Sequence, residues 1–348
     1  MLSGTGRSRR RTASLRAGIV GLVVSAAAVA LLVVLIDLEV TVQTLAGAEV
    51  VWLAATLLLA PAQVLLRSWR WQLILPAGAS GHRPRVLRIA GALLVGQFAN
   101  LVFPAKLGEP VRAYLVGIRE RIPFARVLGS VLLERVIDLA SLSLVAIAAA
   151  IVVGAPEWIV QGSGIVALVA AAAGVLLVAS AIPRAMTIVA RLLGHIGWMP
   201  RVVDVVTTFG EGAGGDTRRS LALAVVLSTV TWFFVGATFW LVGRSLGLEI
   251  EPAAALLIAT VTTLGTAIPS APANIGTFEA AAVVAARALG IPGAEALALG
   301  IVAHVVSTVP FAVAGATAAA WMSLSVRSVA DEAIDRLERD APEPEPTG

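Results

Sequence analysis

Long, uniformly apolar runs organise this chain, rather than alternating or strictly amphipathic ones. Six of them, at 17–36, 50–66, 127–153, 165–182, 220–241 and 296–321, are long enough to cross a bilayer as helices. A hydrocarbon core of ~30 Å needs about 20 helical residues. Two further runs, 89–103 and 253–268, are apolar but short, and each ends in a polar patch containing proline and glycine. The expected fold is all-α: a polytopic membrane helix bundle of six full spans plus two re-entrant hairpins.

Charge sets the orientation. The first sixteen residues hold Arg7, Arg9, Arg10, Arg11 and Arg16 without an acid, while Asp37, Glu39 and Glu49 follow the first span without a base. Basic segments stay cytoplasmic. Bases run from Arg67 and Arg70 through Lys106, Arg112 and Arg119 to Arg126, so a full crossing at 89–103 would strand several of them outside. A hairpin that dips in and returns keeps them inside. The second half mirrors this: Glu157, Glu249 and Glu251 lie on the outer side, with Arg184, Arg191, Arg201, Arg218 and Arg219 on the inner. The reading is a multi-pass protein of the cell (inner) membrane with both termini cytoplasmic. Residues 1–16 form a basic arm and 17–322 the membrane domain, in halves 17–153 and 165–321. Residues 323–348 form an acidic tail that starts helical and frays at its prolines. Within 183–200, Met186, Val189, Leu193 and Ile196 recur at helical spacing, which predicts a helix lying in the interface.

Composition narrows the function. The chain is 58% hydrophobic and 14% charged, with mean hydropathy +0.91; soluble domains carry about 25% charged residues. A soluble globule and a nucleic-acid partner are both excluded, despite a pI near 10.7. With no cysteine and three scattered histidines, His82, His195 and His304, neither a metal site nor a cofactor is expected. There is no phosphate-binding loop, no His-Glu-x-x-His, no Gly-x-Ser-x-Gly and no Asp-x-Asp word. No catalytic residue is therefore assigned, and the chain is expected not to be an enzyme.

An internal repeat adds architecture. Pro104-Ala105-Lys106-Leu107-Gly108 returns 168 positions later as Pro272-Ala273-Asn274-Ile275-Gly276. The same offset carries 127–153 onto the last span and 50–66 into 218–234. Three spans per half is an odd number, so the halves have opposite topology. Inverted repeats with broken helices are the architecture of secondary transporters, with the substrate site where the repeats meet.

Three clusters carry candidate chemistry. In the first hairpin Pro104 and Gly108 break the helix, and Lys106 and Arg112 are placed to hold an anion, with Glu109 to pair with either; the alternative is that both bases only mark topology. In the 127–153 span, Glu134 and Asp138 share a helix face beside Arg135. Ionisable groups inside a span are functional candidates by default, although this cluster could also serve only to fix helix packing. In the second hairpin Pro269, Pro272 and Gly276 make the break, and Glu279 opens the following half-helix as a cap or a proton site. His304 is read as a buried, hydrogen-bonded histidine or a proton relay. Trp52, Trp69, Trp71, Trp158 and Trp321 fit an interfacial belt; Trp232 and Trp240 are left open.

These words, Asn100 to Arg112, Ser130-x-x-x-Glu134-Arg135-x-x-Asp138 and Pro269-x-x-Pro272 to Glu279, resemble the flippase-like membrane domain, also known as the transmembrane region of lysylphosphatidylglycerol synthases. The likeness runs from about Ala17 to Trp321. One departure is Pro272-Ala273-Asn274 where that family commonly has Pro-Gly-Gly. Only a short acidic tail follows Arg327, so the synthases' soluble aminoacyl-transfer reaction is not expected here. The resemblance implies lipid translocation, with an anionic phospholipid or polyprenyl-linked lipid as cargo, not driven by ATP within this chain. Lys106, Arg112, Arg135, Asn100 and Asn274 would bind the headgroup; Glu109, Glu134, Asp138 and Glu279 would balance charge or take protons. The alternatives are an intramembrane transferase on a lipid-linked substrate, with Glu134 or Asp138 as base, and a scaffold for a separate lipid-modifying enzyme.

Overall fold

The computed structural model describes residues 4–78, 81, 83–103, 107–180, 218–267, 270–322 and 326–339. Twelve α-helices and no strand occur among them. They are α1 (Gly4–Leu35), α2 (Leu38–Ala46), α3 (Val50–Ile74), α4 (Val86–Val102), α5 (Gly108–Glu120), α6 (Phe124–Val153), α7 (Glu157–Ser180), α8 (Arg218–Ser245), α9 (Pro252–Gly265), α10 (Thr277–Arg287), α11 (Gly293–Trp321) and α12 (Val326–Arg339). Helices α3, α6, α7, α8 and α11 are long and apolar enough to cross a membrane, and α1 joins them if its bent pairing with α2 counts as one span. The protein is a polytopic all-α membrane bundle. The interfacial helix expected at 183–200 lies outside the described residues.

Both short apolar runs fold as hairpins. Helices α4 and α5 pack antiparallel, and Arg88 and Glu120 close their open ends with a 3.0 Å ion pair. At the crossing, the backbone carbonyls of Gly96 and Gly108 each face the other glycine without room for a Cβ. Helices α9 and α10 make the second hairpin, with Gly265 against Ala281.

The course of α11 shows how the hairpins are set. Gly293, at its start, lies by Arg287 at the open end of the second hairpin, and Gly300 lies by Ala282 and Glu279. His304 then reaches Ala273 at that hairpin's tip. Further along, Gly315 packs on Leu94 and Phe98, and Met322 on Gly91 near the open end of the first. One spanning helix thus passes the second hairpin from open end to tip, then the first from tip to open end. The hairpins enter from opposite faces, tip towards tip. Helix α6 runs the reverse course: Val127 lies by Gly117, Glu134 by Arg112, and Ala149 and Ala150 by Leu257 on α9. Moving α6 by 168 positions gives 292–321, against 293–321 for α11.

Two differences from the sequence reading matter. Helix α3 continues to Ile74, eight residues past the apolar run, so Arg67 and Arg70 are inside the bundle rather than in a cytoplasmic loop. Trp71 is no belt residue: it is fully buried and donates Nε1–H to Ser130 Oγ at 3.1 Å. Trp69, Trp158 and Trp321 are exposed, as a belt requires. The tail's α12 lies over the first hairpin through Val329, Ala330 and Ala333, with Arg336 over the Tyr114 ring at 6.0 Å.

Candidate functional site

Arg70 is the centre of the site. Glu134 and Asp138, one turn apart on α6, present both carboxylates to its guanidinium. Nη1 donates to Asp138 and, at 2.8 Å, to Ser228 Oγ on α8; Nη2 donates to Glu134 and, at 3.0 Å, to Asp138 Oδ2. Ser228 in turn donates to Asp138 Oδ1 at 2.6 Å. The fork of a guanidinium suits two carboxylates at once. Three helices are thereby joined inside the bundle, where an unpaired charge costs about 2.5–3.5 kcal/mol on insertion scales.

Arg112 sits beside this clamp. It is buried, lies over the Trp71 ring at 4.5 Å, and brings Nη1 to 2.8 Å from Glu134 Oε2. Its Nη2 is buried and has no hydrogen-bond partner. Arg135, half-exposed, lies 3.7 Å from Glu109 and 3.9 Å from Asp138. Arg67, one turn before Arg70, makes no ion pair or hydrogen bond with any described residue.

All seven charged side chains line a polar cavity of about 220 Å³ between the hairpins. It adjoins a second chamber of about 580 Å³, walled by Arg67, Gln97, Asn100, Glu109 and Arg135 together with the second hairpin's tip and His304. Among the described residues four arginines face three carboxylates, an excess of one positive charge. The indole N–H of Trp232, also in the wall, is buried without a partner.

The tip of the second hairpin is a tight, tied turn. Ala273 and Asn274 both adopt left-handed backbone, at φ 61° and 57°, and Gly276 follows at 84°. Ser270 Oγ donates to Asn274 Oδ1 at 3.1 Å, and Ser25 Oγ on α1 accepts the Ala271 N–H at 2.9 Å. Glu279 Oε2 accepts the Gly276 N–H at 2.7 Å, and its Oε1 lies 2.6 Å from His304 Nδ1. His304 Nε2 lies 2.8 Å from the Ala273 carbonyl.

The family model of the lysylphosphatidylglycerol synthase transmembrane region matches residues 18–315. The chain belongs to this family. It is similar to glycosyltransferase AglD of Haloferax volcanii, 25% identical over 92% of this chain and 57% of that protein. It is also similar to UPF0104 membrane protein MJ1078 of Methanocaldococcus jannaschii, 27% identical over 60% of this chain and 88% of that one. The chain spans little more than half the length of the first of these relatives. No solved structure matches it. The likeness to a protein named a glycosyltransferase overturns the expectation that the chain is not an enzyme. The missing hydrolase and nucleotide-binding words exclude only the chemistries that use them.

Within this family member the sequence-predicted residues divide. Arg112, Glu134, Arg135, Asp138, Glu109 and Asn100 meet at one cavity, and Asn274 faces them across the adjoining chamber. Lys106, Pro104 and Pro269 lie outside the described residues. Arg112 lies one turn inside α5, where its guanidinium packs over Trp71 and beside Glu134 within the bundle. Glu134 and Asp138 are held by Arg70, which leaves them poorly placed as the general base of a transferase. Asn100 is partly spent within the protein, its Oδ1 accepting the Gly108 N–H at 2.6 Å. Gly108 itself is helical, the first residue of α5, and serves close packing with Gly96. Sequence reasoning missed Arg67 and Arg70. The signal was present: Thr56, Gln63, Arg67 and Arg70 fall at helical spacing with the small Ala60 between them, a stripe of polar and small residues down a mostly apolar helix.

Proposed function

We propose that the chain carries the anionic headgroup of a lipid through this cavity from one leaflet of the inner membrane to the other, while the hydrocarbon chains stay in the bilayer. The observation that carries the reading is the single positive charge in excess among the seven described charged side chains of the lining, together with the unpartnered Nη2 of Arg112 and with Arg67, which makes no ion pair with a described residue. In a low-dielectric surround an excess charge attracts a counter-ion strongly, and a guanidinium fork fits two phosphate oxygens. A phospholipid or polyprenyl phosphate supplies that anion on a hydrocarbon anchor. In this reading both termini, the basic arm and the open end of the first hairpin are cytoplasmic, in line with the bases at 83–126.

The name of the Haloferax volcanii relative favours a second reading, in which the same cavity holds a lipid-linked phosphate while a sugar is transferred to or from it. Glu109, whose Oε2 is buried without a hydrogen-bond partner, is then the carboxylate free to take a proton. Reconstitution separates the two. Liposomes of phosphatidylcholine carrying labelled phosphatidylglycerol or labelled polyprenyl phosphate are assayed for movement between leaflets, and the label is recovered and analysed with and without a sugar nucleotide. Movement of unaltered lipid supports transport, and an altered lipid supports transfer. A label neither moved nor altered contradicts both.

A further inference from the structure

One buried titratable pair is not used by the headgroup site. Glu279 and His304 face each other across the second hairpin and α11, with side chains 14% and 10% exposed. We propose that they form a proton-exchange site that opens on the cavity and holds the tip of the second hairpin. The chemistry follows from what the ring nitrogens touch. The Ala273 carbonyl is only an acceptor, so Nε2 must carry a hydrogen to bond it at 2.8 Å. The 2.6 Å contact between Nδ1 and Glu279 Oε1 needs a second hydrogen, shared between imidazole and carboxylate. The loaded pair therefore holds one hydrogen more than a neutral imidazole beside an ionised carboxylate.

Losing that proton to water in the cavity leaves a single N–H for two acceptors. Either Nδ1 turns a lone pair to the carboxylate, or Nε2 turns one to the Ala273 carbonyl, and one of the two bonds is forfeited. The bond at stake holds a turn in which Ala273 and Asn274, neither of them glycine, are left-handed, a conformation that L-residues adopt under strain. The pair opens on the adjoining chamber: His304 lines the space of about 580 Å³ together with Ser270, Ala273 and Asn274. On its other side the ring stacks on Phe278 at 4.5 Å, and Phe278 stacks on Phe239.

Among the described residues the groups that face the pair are few. Glu109, Arg67 and Arg135 line the same chamber from α5, α3 and α6; α4 contributes the neutral Gln97 and Asn100, α9 contributes Thr263, and α1 places Ser25 against the turn. An arriving anion would neutralise the nearby arginines and so favour proton uptake at the pair. That coupling rests on the headgroup reading; the proton site itself does not.

Two measurements on the full chain in phosphatidylcholine nanodiscs test it. In the first, nitrogen-15 histidine spectra are recorded from pH 5 to 9, with His304→Gln identifying the His304 signals. The expected result is a change from a doubly to a singly protonated ring, altered by at least one pH unit in Glu279→Gln. A His304 pattern that stays constant from pH 5 to 9 overturns the proton site. In the second, labelled phosphatidylglycerol is titrated at the two ends of that range. At least a fivefold change in affinity for wild type, lost in Glu279→Gln, supports the coupling. Binding that is tight but independent of pH overturns the coupling and leaves the headgroup reading standing. No binding at either pH overturns the coupling together with the headgroup reading, while the spectra still decide the proton site.

Discussion

Gly96 and Gly108 touch backbone to backbone across the first hairpin, where a Cβ on Gly96 would lie 2.7 Å from the Gly108 carbonyl oxygen. The same contact brings Asn100 onto the Gly108 N–H and Arg112 against Gly96, so the glycine pair sets how closely the headgroup site is drawn together. Gly108→Ala is expected to cost about 1–3 kcal/mol, the usual range for overpacking a tight contact, and to loosen the cavity. Gly164→Ala, on α7 where nothing stands within 4 Å, should be neutral or stabilising by up to about 1 kcal/mol. Thermal unfolding in detergent compares the two.

Arg70 is expected to be structural first. Removing it with Arg70→Ala leaves Glu134 and Asp138 without their shared partner, and breaking such a buried pair costs about 3–5 kcal/mol. Arg70→Lys should recover little, since one ammonium cannot serve two carboxylates and Ser228 with the geometry of a fork. Expression level and denaturation midpoint in the bilayer read both.

Ala273 occupies a left-handed position that favours glycine. Ala273→Gly should therefore preserve the fold and raise stability by about 1 kcal/mol, and Ala273→Val should lower it by at least as much. The departure from Pro-Gly-Gly noted in the sequence thus falls where the backbone calls for glycine. Equal stability of Ala273→Gly and Ala273→Val would mean that the turn is not held left-handed.

The chain has no cysteine, so single introduced cysteines report topology without background. Arg119 and Arg287 are exposed near the open ends of the first and second hairpins. Cysteine at position 119 should react with an impermeant reagent only from the cytoplasm, and at position 287 only from outside. Labelling of both from one side would contradict hairpins that enter from opposite faces.

Much of the fold was legible because a membrane asks little of a sequence beyond long apolar runs, and the 168-residue offset survives as the matching helices α6 and α11. The run at 89–103 was legible as a hairpin because charge forbade a full crossing, and the run at 253–268 because it is short and ends in a proline- and glycine-containing patch that repeats the first. The site was legible in part. Glu134 and Asp138 stand out as acids within an apolar helix, whereas Arg67 and Arg70, at the end of an apolar run, resemble ordinary cytoplasmic bases. Only the fold brings Ser228 to Asp138, 90 positions away, and sets Arg112 over Trp71. Trp71 misleads for the same reason: a tryptophan near the end of an apolar run reads as a belt residue until the helix is seen to continue.

The central claim is that the excess positive charge of the cavity binds an anionic lipid headgroup, and Arg67 is its most direct probe because it makes no ion pair or hydrogen bond with a described residue. Native mass spectrometry of wild type and Arg67→Gln, each equilibrated with an equal mixture of phosphatidylglycerol and phosphatidylcholine of the same chain length, measures the lipids retained. Wild type is predicted to retain phosphatidylglycerol in clear excess, and Arg67→Gln to lose that preference about tenfold, equivalent to about 1.4 kcal/mol. Equal retention of both lipids by wild type, or an excess unchanged in Arg67→Gln, would contradict it.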